Sequence, residues 1–298
     1  MKFLITGARG YLASYLIPRL SKNHELILTS QHSENNPNSE PIHALNLADS
    51  SNLYDFIEKY SPEYIINTAA VSLPDWAEDH IQETNDANIV SVQNLVRVCS
   101  KFNIPLLHMS TDYVFGGDRA PYKETDLRAP VNFYGKTKAA AEEIIETGQI
   151  QYMICRTTLL YGLKQAYQRP NPFIDFYTKL NAHQQIEVPI NHFTTPTYVE
   201  DLVDCLIQLI QQKRQGIYHT AGPESISRYD FAIQLAEIFG FDTSLVKGVP
   251  LVSKRAIRPP NTSLSTEKLR SEVGIVMHTP KEAFQILKKI ITSRSISF

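Results

Sequence analysis

Short apolar runs alternate with longer amphipathic stretches through the first half of the chain, and this rhythm limits the fold more than any other feature. Lys2–Thr6, Glu25–Thr29, Tyr64–Thr68, Pro105–Met109 and Tyr152–Thr158 are short and largely apolar, the pattern of strands buried on both faces. Between them, Tyr11–Ser21, Leu53–Tyr60, Ile89–Phe102 and Tyr134–Glu146 carry helical spacing. In Ile89–Phe102 the residues Val92, Leu95, Val96 and Cys99 fall on one face. This order predicts a mainly parallel, doubly wound sheet with helices on both faces.

The rhythm weakens after Gly162. Gln165–Pro172 is polar and contains two prolines, which predicts a loop; Ser33–Pro41, rich in Asn, Ser and Pro, predicts another. Pro196–Gln212 returns to a helix with Val199, Leu202, Val203, Leu206 and Leu209 on one stripe. A strand over Gly216–Ala221 and helices over Tyr229–Phe239 and Pro280–Ile291 follow. The expected organisation is a dinucleotide-binding domain from residues 1–162 plus 196–222, and a smaller C-terminal α/β substrate lobe from 163–195 plus 223–298.

Composition narrows the class. Hydrophobic residues make up 43% of the 298, enough for a real core. Lys and Arg number 29 against 31 Asp and Glu, a net charge of −2 that argues against a nucleic-acid or membrane-surface partner. No apolar run approaches the roughly 18–20 residues of a membrane span. Cys99, Cys155 and Cys205 are scattered among apolar neighbours with no CxxC pair, as expected of buried thiols in the cytoplasm. His43, His80, His183, His192 and His219 show no metal spacing and are expected to be structural. Asp201 and Asp204 flank a helix stripe and are expected in solvent.

The turn after the first run is Gly7-Ala8-Arg9-Gly10-Tyr11-Leu12-Ala13. Two glycines permit a tight turn and close approach of backbone to a pyrophosphate, and the following helix start offers unpaired N–H groups. With the periodicity, this defines a Rossmann-type fold. NAD-binding sites usually place a carboxylate after the second strand, to bond the ribose 2′-hydroxyl. Here that run is Leu28-Thr29-Ser30-Gln31-His32. A 2′-phosphate would meet no like charge at Ser30, and Arg9 can pair with it as a planar fork. NADP is therefore favoured, with NAD possible.

The strongest chemical signal is Tyr134-Gly135-Lys136-Thr137-Lys138. Tyr134 and Lys138 lie one helical turn apart on the same face. A free phenol ionises near ~10, and a neighbouring ammonium is expected to lower that value. Upstream, Thr111 stands at the carboxyl end of an apolar strand, where open parallel sheets present ligands, and its hydroxyl suits a carbonyl oxygen. Ala69 and Ala70 end another strand with small residues, suited to a backbone wall along a cofactor. Trp76, the single tryptophan, is placed in the following loop as a loop anchor or a substrate contact.

The chain resembles the dTDP-4-dehydrorhamnose reductase family of extended short-chain dehydrogenases. The resemblance rests on the glycine turn, Asn67-Thr68-Ala69-Ala70, Ser110-Thr111-Asp112-Tyr113-Val114-Phe115 and Pro130-Val131-Asn132-Phe133-Tyr134-Gly135-Lys136-Thr137-Lys138. It rests also on Arg156-Thr157-Thr158, Pro196-Thr197, Gly216-Ile217-Tyr218-His219 and Arg258-Pro259-Pro260-Asn261-Thr262. It implies reduction of the C4 keto group of a nucleotide-linked 4-keto-6-deoxy sugar. Tyr134 would then donate the proton, Lys138 tune it and hold the nicotinamide ribose, and Thr111 polarise the carbonyl. Gly10, Tyr11, Leu12, Ala70, Val71, Ser72 and Met109 would line the cofactor, with Ser72 reaching the substrate side. Asp112 and Tyr113 would meet the substrate, and Arg258 and Asn261 its diphosphate. Family members often carry Trp where this chain has Leu159, so the platform against the sugar differs. Sugar 4,6-dehydratases typically have an acid pair after the strand-end threonine; here Asp112 is followed by Tyr113. The alternatives left open are another nucleotide-sugar epimerase or reductase and a non-catalytic NADP-binding regulator, because the regulatory subunit of methionine adenosyltransferase resembles the same family. A homodimer is possible.

Overall fold

The computed structural model describes residues 1–31, 41–253 and 255–294. In chain order the first elements are β1 (Lys2–Thr6), α1 (Tyr11–Leu20), β2 (Glu25–Ser30), β3 (Ile42–Ala44), α2 (Ser50–Tyr60) and β4 (Tyr64–Asn67). Then come α3 (Pro74–Asp79), α4 (Ile81–Asn85), a π-helical turn (Asp86–Val90), α5 (Ser91–Phe102), β5 (Leu106–Thr111), α6 (Phe133–Thr147) and β6 (Tyr152–Thr157). The remainder contains β7 (Leu160–Tyr161), α7 (Pro172–Asn181), β8 (Ile186–Pro189), β9 (Phe193–Thr194), β10 (Thr197–Tyr198) and α8 (Val199–Gln211). It ends with β11 (Gly216–His219), β12 (Ile226–Ser227), α9 (Arg228–Phe239), β13 (Val246–Val249), α10 (Glu267–Val273) and α11 (Pro280–Arg294).

Seven strands form the central sheet in the order β11-β6-β5-β4-β1-β2-β3, a doubly wound Rossmann-type α/β arrangement. β1 runs parallel to both β2 and β4, with Ile5 opposite Leu28 and Ile66, and β4 runs parallel to β5. Strands β1 and β4 are apolar almost throughout because both faces are covered. One face packs Leu4, Ile27, Ile65, Leu106 and Ile154 against Leu53 of α2, Leu95 of α5 and Ile145 of α6. Each such side chain contributes roughly 1.5–3 kcal/mol by leaving water. The residues of the expected loop at Ser33–Pro41 lie outside the described residues, save Pro41.

By packing, the described chain forms two compact units. The first is Met1–Val114, Arg128–Cys155 and Lys213–Ile217; the second is Phe115–Leu127, Arg156–Gln212 and Tyr218–Phe298. This grouping draws the boundary differently from the division at residues 162, 196 and 222. Local contacts explain the difference. Phe115–Leu127 joins the second unit because Tyr122 bridges to Leu264 and exchanges backbone hydrogen bonds with Ser263 and Ser265. Arg156, 1% exposed, joins it through Glu124, His219 and the ring of Phe115. The second unit has its own core, with Phe231 and Phe284 ring centroids 4.9 Å apart and Tyr161 edge-on to Phe231.

Several expectations are revised. Trp76 lies in α3, not in a loop, and its ring stacks on His80 at 3.8 Å. Asp201 is not simply solvated: it accepts hydrogen bonds from the backbone N–H and ring of His278. Among the described residues no helix is long and apolar enough to cross a membrane.

Candidate active site

The glycine turn presses against the end of β4. Gly7 has φ +67°, and a Cβ there would sit 2.8 Å from the Ala69 nitrogen, so only glycine fits. Gly10 caps α1 without a side-chain hydrogen bond, and its own N–H donates to the Gly7 carbonyl at 2.8 Å. Around the turn runs a groove of about 520 Å³, lined among others by Gly7, Arg9, Gly10, Ser30, Ala69, Ala70 and Val71. These seven predicted cofactor residues are therefore gathered on one surface. Residues missed from sequence also line it: Thr29, Gln31, Leu45–Ala48, Trp76, Glu83, Asp86, Ala87 and Ser91. The alternation Ile42-His43-Ala44-Leu45-Asn46-Leu47 was the available signal for β3 and the wall after it.

Tyr11, Leu12 and Met109 are not among the residues lining the groove. Tyr11 stands edge-on to Tyr15, Leu12 is buried, and the Met109 carbonyl accepts a hydrogen bond from Lys138 at 2.7 Å. Ser72 is exposed beyond Val71. Leu159, Arg258 and Asn261 belong to the second unit. Leu159 has φ +31°, a conformation uncommon for a leucine. Arg258 donates to the Ala256 carbonyl, and Asn261 Oδ1 accepts from the Ser263 N–H.

The start of α6 is fixed by Asn132, whose side chain accepts the Gly135 N–H at 2.8 Å and places Tyr134 in the first turn. Gly135 is a forced choice, since a Cβ would meet the Tyr113 carbonyl oxygen at 2.2 Å. The first turn of α6 therefore lies directly on the strand-end segment after β5. There the Thr111 side chain acts on the ionisation of the Tyr134 phenol, whose ring lies edge-on to Tyr113. The Thr111 hydroxyl donates to Asp112 at 3.0 Å. Thr111, Asp112, Tyr134 and Lys138 are all buried, at 7%, 4%, 8% and 2% exposure.

Burial governs the charges. It pushes the Tyr134 phenol up; Thr111 pulls it down, while Asp112 and Tyr113 push it further up. The net direction is upward, against the expected lowering of the phenol by the Lys138 ammonium. Burial also lowers the Lys138 amine to about 8, against an opposing pull from Glu142 one turn along. Glu142 is itself fully buried, accepting from Ser110 at 2.5 Å and pairing with Arg128 at 3.0 Å.

The Lys138 value has a consequence for stability. The folded chain releases this proton near pH 8, whereas an unfolded lysine holds it to near ~10.4. Between those values the unfolded state binds more protons, so stability rises with pH. Relative to Lys138→Met, the native chain should gain about 2–3 kcal/mol between pH 7.5 and 10.5. Denaturant melts at both pH values check this; parallel pH dependence in the two proteins would refute it.

One further tether joins groove and helix. Asn88, in the π-helical turn, accepts from the Val71 N–H and donates to the Val71 carbonyl and the Thr137 hydroxyl. Thr137 in turn donates to the Tyr134 carbonyl at 2.8 Å.

An open parallel sheet, a glycine turn beside a groove and a strand-end Thr with a Tyr/Lys helix define a Rossmann-type α/β protein of the short-chain dehydrogenase kind. The family model described as RmlD substrate binding domain matches residues 1–292, and the chain belongs to that family. It is 31% identical over 310 residues to a dTDP-4-dehydrorhamnose reductase of Aggregatibacter actinomycetemcomitans, covering 97% of this chain and 98% of that protein. It is also 29% identical to methionine adenosyltransferase 2 subunit beta of Xenopus laevis, covering 93% of this chain and 84% of that one. Among solved structures it resembles the Bacillus anthracis dTDP-4-dehydrorhamnose reductase in complex with NADP, with TM-score 0.82 and 26% identity over 97% of this chain and 99% of that one.

Proposed function

We propose that the protein is an NADPH-dependent ketoreductase acting on the C4 keto group of a nucleotide-linked 4-keto-6-deoxy sugar. One observation carries the reading: the buried Tyr134 phenol lies within the influence of Thr111 at a strand end, with Lys138 one helical turn away, in the unit that holds the glycine groove. Burial keeps Tyr134 protonated at neutral pH, the state a proton donor needs. Thr111 gives its one hydroxyl proton to Asp112 and accepts the Tyr113 N–H, which fixes it at the strand end beside the place proposed for the carbonyl.

The groove suits a dinucleotide. Gly7 leaves room that a Cβ would fill, and the dipole at the start of α1 favours a pyrophosphate there. Arg9 and Ser30 would hold the adenine-ribose end, and Ala69, Ala70 and Val71 would form the wall. A bound dihydronicotinamide supplies the hydride. Leu159, Arg258 and Asn261 are proposed to serve the sugar and its diphosphate, and residues 163–195 plus 223–298 to form the substrate lobe. A homodimer and a cytoplasmic setting complete the reading.

The test is oxidation of NADPH in the presence of dTDP-4-keto-6-deoxyglucose, followed at 340 nm. Turnover supports the reading; failure with several nucleotide carriers overturns it. Ser30 supplies a second test. Ser30→Asp should weaken NADPH binding by at least about tenfold, through repulsion of the 2′-phosphate, and favour NADH. A native preference for NADH of more than tenfold in a binding titration would overturn the NADP assignment. The likeness to methionine adenosyltransferase 2 subunit beta favours one other reading, a regulator that binds NADP and a partner enzyme. Co-purification of another protein without any turnover would favour it.

A further inference from the structure

Glu142 is a charge in the interior for which proton donation to a substrate gives no reason. Its side chain is fully buried, where an unpartnered carboxylate would be too costly to keep. Both oxygens are engaged. Oε1 accepts from the Ser110 hydroxyl at 2.5 Å, and Oε2 meets the Arg128 guanidinium at 3.0 Å. Arg128 reaches in from the segment before α6, with its side chain 26% exposed, and it also meets Glu146.

The spacing along α6 is regular. Tyr134, Lys138, Glu142 and Glu146 follow at four-residue steps, so each lies one turn from the next. Helix α6 and strand β5 meet at two of these positions. The Lys138 ammonium donates to the Met109 carbonyl at 2.7 Å and lies 2.8 Å from His108 Nε2, while Glu142 takes the Ser110 hydroxyl. Both partners of the lysine on β5 are uncharged. One is a carbonyl; the other is a ring that burial, and then Lys138, hold well below its ordinary value. Neither balances a positive charge that is only 2% exposed. The carboxylate that can do so is one helical turn away.

We propose that Glu142 is a positioning residue: it is the buried counter-charge of Lys138, and Arg128 and Ser110 hold it in place and ionised. The inference rests on the proposed reading, in which Lys138 serves Tyr134 and the nicotinamide ribose. An ammonium donates to ribose hydroxyls, and it steadies the phenolate that Tyr134 becomes once its proton has passed to the sugar oxygen. The titratable groups facing this centre come from three places. On α6 they are Tyr134 and Glu142; on β5 there is His108; at the strand end Asp112 and Tyr113 bear on the phenol. Burial draws the proton off Lys138 and Glu142 pulls it back, which leaves the amine charged at neutral pH with a midpoint at about 8. Arg128 and Glu146 complete a row of two cations and two carboxylates whose charges cancel.

The deciding measurements need neither cofactor nor substrate, so they stand apart from any failure of the reductase reading. In ¹³C-lysine spectra of the full chain, the Lys138 signal is identified by its loss in Lys138→Met. Glu142→Gln keeps the shape and a bond to Ser110, and it should lower the Lys138 midpoint by more than about one pH unit. Glu146→Gln also takes a carboxylate from Arg128, but one turn further from Lys138, and should move the midpoint by less than about 0.3 unit. In ¹³C-glutamate spectra of the native chain the Glu142 carboxyl should stay ionised from about pH 6 to 9, a reading that holds even if Glu142→Gln does not fold. Where turnover is seen, Glu142→Gln should lose about fivefold or more in kcat at about pH 8 and recover towards the native value at about pH 6, as the amine regains its proton. A damaged fold would not be cured by acid. A Lys138 midpoint that Glu142→Gln leaves unmoved, or that Glu146→Gln moves as far, overturns the proposal. So does a protonated Glu142 in the native chain at pH 7.

Discussion

Tyr134→Phe is expected to bind NADPH as tightly as the native chain and to reduce its sugar substrate about 10²–10⁴-fold more slowly. The substitution removes one oxygen and leaves the ring in place. That ring sits edge-on to Tyr113 in a first helical turn held by Asn132, neither of which depends on the phenol. Thr111 keeps its hydrogen bond to Asp112 and so does not collapse into the gap. The loss should appear in kcat, because the phenol matters as the proton moves rather than when the substrate docks. Stopped assays of NADPH oxidation, with cofactor affinity from fluorescence titration, separate the two terms. Unchanged turnover would remove Tyr134 from the chemistry.

Gly7→Val should abolish cofactor binding and destabilise the chain by about 2–4 kcal/mol. Two penalties act together. A β-branched side chain is strained at φ +67°, and its Cβ would press into the Ala69 backbone at 2.8 Å. The turn can escape only by lifting from the end of β4, and that movement distorts the groove. Gly10→Ala is the control: it leaves φ −69°, an ordinary value, and should cost less in stability. NADPH titration and denaturant melts read the two effects. Native-like affinity in Gly7→Val would show that the groove is not where the dinucleotide sits.

The sequence made the strands of the central sheet legible where they are buried on both faces, because Lys2–Thr6 and Tyr64–Asn67 leave no room for a helical stripe. Helix α5 was legible for the opposite reason, since Val92, Leu95, Val96 and Cys99 repeat at helical spacing. β3 left only the faint alternation that starts at Ile42: it has three residues, and it owes its existence to register with β2 rather than to propensity. The two-residue strands β7, β9, β10 and β12 are beyond any periodicity argument.

At the site, Thr111, Tyr134 and Lys138 could be named because their chemistry is unusual for their positions. The polar chain behind them carried a weaker signal of the same sort. Asn67 closes the apolar run Tyr64-Ile65-Ile66, and His108 interrupts the apolar β5. A polar residue inside a run that should be buried asks for a partner, and here the partners are one another. What no sequence argument could supply was that pairing, which depends on the register of β4 against β5.

Asn88 has an effect larger than its size. Its amide grips Val71 at both backbone atoms and, by way of the Thr137 hydroxyl, reaches the peptide oxygen of Tyr134. The groove wall at Val71 and the first turn of α6 are therefore spliced through four hydrogen bonds. A slackened splice would blur recognition and chemistry in the same stroke, so the two cannot be tuned independently from this position.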